Sequence, residues 1–111
     1  MFFMIKLDML NQPEKGYYYH YKHDPSGEIN NYAYEVLGVG HHTEKEEEFF
    51  VIYKPLYKEA LVYKMGKLFD VRPLAMFMEN VTKDGQTFPR FQKITDQNII
   101  SKLEEIKKEI Y

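Results

Sequence analysis

Residues 16–24 read GYYYHYKHD, four tyrosines set around a histidine and a lysine and followed by the turn sequence DPSG at 24–27. Tyrosine favours the pleated, half-buried surface of a strand, and side chains along a strand point alternately to its two faces. Tyr17, Tyr19 and Tyr21 therefore share one face, and Tyr18, His20 and Lys22 share the other. The first set predicts a wall of the core with hydroxyls reaching its rim. The second predicts a face open to solvent or to an anionic ligand. The stretch is a strand.

Further strands follow at close spacing. Residues 32–39 (YAYEVLGV) and 49–54 (FFVIYK) flank the loop GHHTEKEEE, and Pro55 stops the second run. Residues 61–63 and 67–71 predict a short hairpin around Met65-Gly66, and 77–81 and 87–94 predict a second around Asp84-Gly85. Five to seven short strands give a mainly β chain and favour a small barrel over a sandwich. Ile99, Leu103, Ile106 and Ile110 step by three and four, Asp96 or Thr95 can cap the start, and Glu104 and Lys108 form an i,i+4 pair. This is an amphipathic C-terminal helix, and its apolar stripe needs a surface to dock on. The expected order is residues 16–95 as barrel and 96–111 as a helix docked on it. Residues 1–15 read equally as strand or helix.

Composition narrows the function classes. The chain has 111 residues, which fits one domain, and 16% are aromatic: ten Tyr, eight Phe and no Trp. A net charge of −2 lacks the basic footprint of a typical nucleic-acid binder, so nucleic acid is possible at a local patch but unsupported by net charge. No cysteine is present, which excludes disulfides, thiolate zinc sites and a cysteine nucleophile. The opening MFFMIKLDML is too short and too charged for a signal h-region or a membrane span, so a cytoplasmic location is expected.

Arginine use is selective. Thirteen lysines supply general charge, and the two arginines, Arg72 in VRPLAMF and Arg90 in FPRF, sit beside prolines among apolar residues. A planar guanidinium suits a carboxylate, a phosphate or a row of carbonyls. Each arginine either pairs with a nearby acid or backbone carbonyls, or meets a ligand. Met65, Met76 and Met78 read as core filler, and the acidic run at 44–48 as a solvated loop.

The blocks HYK (20–22), YEVLGVGHHTE (34–44), VIYKPLY (51–57), VRPLAMF (71–77) and DGQTFPRF (84–91) occur in order. Together they resemble the bacterial family catalogued as domain of unknown function 1653, over roughly residues 17–94. The resemblance implies a small SH3-like β-barrel (a roll) and no known activity. Its polar positions fall here on His20, Tyr21, Lys22, His42, Glu44, Tyr53, Tyr57, Arg72 and Arg90. HDPSGEINN lengthens a connection the family keeps short, Asp70 stands where an aromatic residue is common, and Lys45 where Thr is usual.

The candidate ligand-binding residues are therefore Tyr18, His20, Lys22, His42, Glu44, Arg72 and Arg90, with no catalytic residue, cofactor or metal assigned. Only His42 and Glu44 of HHTE point the same way, and two ligands do not make a metal site without a third such as His20. As a base oriented by Glu44, His42 would centre a small hydrolase, yet no nucleophile motif accompanies it. The expectation is a non-catalytic module that binds an anionic small molecule, nucleotide or peptide. The alternatives are a protein–protein interaction module and a small hydrolase.

Overall fold

The tyrosine stretch forms β1 (Gly16–His20), which pairs antiparallel with a neighbour along each edge. The computed structural model describes residues 11–111; of the segment read equally as strand or helix, residues 1–10 lie outside that range, and 11–15 take neither form. Among the described residues one sheet has the order β4-β3-β2-β1-β7, with β2 (Ala33–His41), β3 (Phe49–Pro55), β4 (Asp70–Pro73) and β7 (Phe91–Lys93). A second sheet pairs β5 (Asn80–Lys83) with β6 (Gln86–Pro89). The result is the mainly β, SH3-like roll with a C-terminal helix. No helix of the described residues is long and apolar enough to cross a membrane.

Local chemistry explains the joints. Asp84 and Gly85 both have positive φ, 52° and 76°, which a two-residue hairpin turn of this hand requires. Asp24 accepts from Gly27 across the DPSG turn. The register of β2 on β3 shifts between Val36 and Gly38, a bulge that bends the long strand.

One expected strand is helical, and another, expected at 77–81, begins only at Asn80. Residues 61–63 lie in α1 (Leu61–Lys64), because β3 is already bonded on both edges and offers them no partner. The predicted hairpin around Met65-Gly66 is absent, and residues 70–73 pair with β3 instead. The run expected to begin a strand at Phe77 forms α2 (Leu74–Met78), where leucine, alanine and methionine follow Pro73. Residues 87–94 split at Arg90, which leaves β6 and enters β7 by way of Pro89. The methionines are not core: Met65, Met76 and Met78 are all exposed.

Both faces of the main sheet are covered. On one, Tyr18, Val36, Val51, Tyr53, Phe77 and Phe91 pack together. On the other, α3 (Gln97–Ile110) lays Leu103 against Tyr17, Ala33, Leu56 and Ile94. Asp96 caps α3 by accepting from the amides of Asn98 and Ile99. Tyr111 donates its hydroxyl to the Pro55 carbonyl at 2.6 Å, and Lys107 reaches Glu35 of β2 at 3.2 Å. Tyr18 is consequently a core residue at 5% exposure, not part of an open face. Alternation separated the two sets of side chains, but Phe77 of α2, packed on Phe91 of the adjacent β7, covers the face expected to be wet.

Candidate functional site

Phe91 stands at the centre of the candidate site. β7 sets it opposite His20 of β1, and the bend at Pro89-Arg90 turns its ring inward. Phe77 stacks on it at 4.1 Å between centroids and 6° between planes. His20 meets it edge-on at 5.0 Å, Tyr53 at 5.6 Å and Tyr34 at 5.7 Å. The Arg72 guanidinium carbon lies 5.5 Å from its centroid. This is an aromatic floor with a cation at its edge.

The polar groups around that floor are partly withdrawn from water. Arg72 donates from Nε to the Tyr53 hydroxyl at 3.1 Å and joins no ion pair among the described residues. The acid or carbonyl partner considered for it is thus replaced by a phenol, with Asp70 on the same strand near enough to feel its charge. Burial raises the Asp70 carboxyl above its ordinary value, and Arg72 only partly offsets this. Tyr34 and Tyr57 share a hydroxyl–hydroxyl hydrogen bond, and burial raises both phenols.

His20 shows the electrostatics most directly. Burial, followed by the charges of Arg72, Arg90 and Lys22, pushes its pKa down to about 4, so the ring is neutral at pH 7. Its Nδ1 accepts the Lys22 amide at 3.2 Å, which leaves the proton on Nε2 as a donor. Tyr21 and Tyr32 flank it at 4.5 and 5.7 Å.

Arg90 takes the acid-pairing role offered by its sequence context. Its Nη2 pairs with Glu79 at 2.7 Å, while Nε is buried without a hydrogen-bond partner. Its carbonyl accepts from the Tyr21 amide, and its guanidinium lies 5.9 Å from the Tyr21 ring. The structure therefore gathers His20, Arg72 and Arg90, with the exposed Lys22 close enough to act on His20.

His42 and Glu44 sit elsewhere, in the loop between β2 and β3. The Nδ1 of His42 accepts from the amides of Glu44 and Lys45 at 3.1 and 3.2 Å. The ring caps this turn, and it meets the Glu44 backbone rather than its carboxylate. Among the described residues no three His, Asp or Glu side chains converge as a metal would need.

Tyr53 and Tyr57 entered through family blocks, and Asp70 as a departure from them, but Tyr32, Tyr34 and Phe91 were not singled out. Their sequence signals were the outer residues of YAY and the second phenylalanine of FPRF. Nothing local distinguishes a ring on a site floor from one in the core.

The fold and this cluster define a small SH3-like barrel carrying a cation-edged aromatic floor. The chain belongs to the family described as "Protein of unknown function (DUF1653)", which it matches over residues 16–93. It is similar to a solved protein of that family from Bordetella bronchiseptica, with 29% sequence identity and a TM-score of 0.55. The alignment covers 76% of this chain and 94% of that one. No curated protein matches the chain.

Proposed function

We propose that this protein is a non-catalytic recognition module whose ligand carries an anionic group bound at His20, Arg72 and Arg90. One observation carries the reading: a neutral imidazole is held beside two guanidinium groups and an ammonium, with His20 pushed down to about 4. Burial is the larger cause of that shift and the charges of Arg72, Arg90 and Lys22 add to it, so an anion held among these groups would relieve repulsion. Arginine also suits a carboxylate or phosphate better than lysine does. The rings of Tyr21 and Tyr32 on either side of His20 add stacking surface for a nucleotide or an aromatic peptide side chain. The capping role of His42 favours recognition over hydrolysis.

A two-dimensional amide titration tests it, using inorganic phosphate, pooled nucleotides, sugar phosphates and short oligonucleotides. Shifts converging on His20, Lys22, Arg72 and Arg90 support the reading and name the ligand class. The absence of shifts with every probe would remove it.

A second reading, an interaction module for a protein partner, has its own observation. Of the eight large hydrophobic side chains exposed among the described residues, seven fall between Leu61 and Met78, around the edge strand β4. Light scattering of the wild type and of Val71→Lys tests for self-association through that edge.

A further inference from the structure

Next to the aromatic floor lies a cavity of about 430 Å³ lined by Glu28, Asn30, Asn31, Tyr32, Tyr57 and Glu59. We propose that this cavity is a binding site for an organic cation, an ammonium or guanidinium group seated in the corner of the Tyr32 and Tyr57 rings and neutralised by the Glu28 and Glu59 carboxylates. The proposal does not rest on the anion site, although the two share the Tyr32 ring, which stacks on His20 and also lines the cavity.

The walls have suitable chemistry. The Tyr32 and Tyr57 rings lie 5.8 Å apart between centroids and are tilted by 46°, so they form a corner rather than a stack. Aromatic faces attract weakly hydrated organic cations, whereas small metal ions need several oxygen ligands in a shell. Neither Glu28 nor Glu59 joins an ion pair among the described residues, and no lysine or arginine lines the cavity. Asp70 adds further negative charge, since it acts together with Tyr32 in raising the Tyr57 phenol beyond the larger effect of burial.

The frame is built before any ligand arrives. Tyr57 is tied through its hydroxyl to Tyr34. Tyr32 is held at a φ of 52°, a conformation that costs a tyrosine free energy and persists only where its surroundings impose it. Here its carbonyl accepts from the His20 amide at 3.0 Å and its ring stacks on His20 at 5.7 Å. The loop amides are already committed: Asn30 donates to the Leu56 carbonyl at 2.8 Å, and Asn31 donates to the Asp24 carbonyl at 2.9 Å. A cation entering this space therefore meets rings that are already in place, and only the exposed Glu28 and Glu59 side chains have to settle around it.

The test is an amide titration of the full chain with methylguanidinium chloride and with tetramethylammonium chloride, against sodium chloride at equal ionic strength. The expected result is a saturable shift at Tyr32, Tyr57 and Ala60, which also lines the cavity, with an organic cation and none with sodium. The Glu28→Gln/Glu59→Gln double variant weakens it tenfold or more, and Tyr32→Leu abolishes it. Both glutamates are exposed, so the double variant keeps its fold and carries the test even where Tyr32→Leu does not. Shifts that fail to saturate, that sodium reproduces, or that persist in the double variant overturn the proposal. Phosphate is followed separately at His20 and Arg72, so either site can fail without the other.

Discussion

Arg72 of β4 donates its Nε proton to the hydroxyl of Tyr53 on β3 at 3.1 Å, although these two residues are not direct partners across the strand pair. The register sets Tyr53 opposite Asp70 and Arg72 opposite Val51, so the bond runs diagonally to the next position on the same face. It closes the edge of the aromatic floor and aims the guanidinium at Phe91.

Lysine at position 72 keeps the charge but loses the planar fork that bonds and stacks together. Arg72→Lys is expected to destabilise the protein by about 1–2 kcal/mol, from one charged hydrogen bond and its ring contact. Thermal unfolding checks this, and an unchanged melting temperature would show that Arg72 does not anchor the barrel. The same variant is expected to weaken phosphate binding.

The His20 ring has a folded pKa of about 4 against an ordinary 6.5, so on acidification the unfolded chain takes the proton first. Its contribution to stability is complete above pH 6.5 and is lost as pH falls towards 4. Screening by solvent at this half-buried ring leaves about 1–2 kcal/mol of that effect. Urea unfolding of wild type and His20→Gln at pH 7 and pH 4.5 should show the smaller loss in the variant; equal losses would count against the assignment. A bound anion favours the imidazolium, so phosphate affinity should rise over the same descent.

Asp70 has the opposite sign. Burial, larger than the attraction of Arg72, raises its carboxyl, so the folded state holds the proton more firmly than the unfolded chain. Its ionised form is a liability at pH 7 that fades as pH falls through the raised value. Asp70→Asn should accordingly be neutral or stabilising at pH 7, by up to about 1 kcal/mol after allowance for partial exposure. A clear loss of stability in chemical denaturation would mean that the Arg72 attraction outweighs burial.

The C-terminal helix covers an apolar face that includes Tyr17, Ala33, Leu56 and Ile94, with Leu103 fully buried against it. Leu103→Ala should cost about 2–4 kcal/mol from lost transfer energy and the cavity left behind. Removing residues 97–111 should expose that face and produce aggregation, visible by light scattering. A monodisperse, folded truncation would show that the barrel stands without its helix.

The sequence alone determined what depends on near neighbours. Alternation in GYYYHYK made a strand, Asp84-Gly85 made a turn needing two positive φ values, and Asp96 with its apolar stripe made a capped amphipathic helix. The selective use of arginine also pointed to positions 72 and 90 before any contact was visible. Only the tertiary structure decided which faces stay wet and which polar groups meet. Tyr18 is buried because Phe77 of α2 packs against it beside Phe91 of the neighbouring strand, and residues 61–64 form a helix because β3 has no edge left to offer. His20, Arg72 and Arg90 lie up to 70 residues apart in sequence, and the burial and mutual repulsion that set the charge state of His20 arise only when β1, β4 and the bend before β7 are brought together.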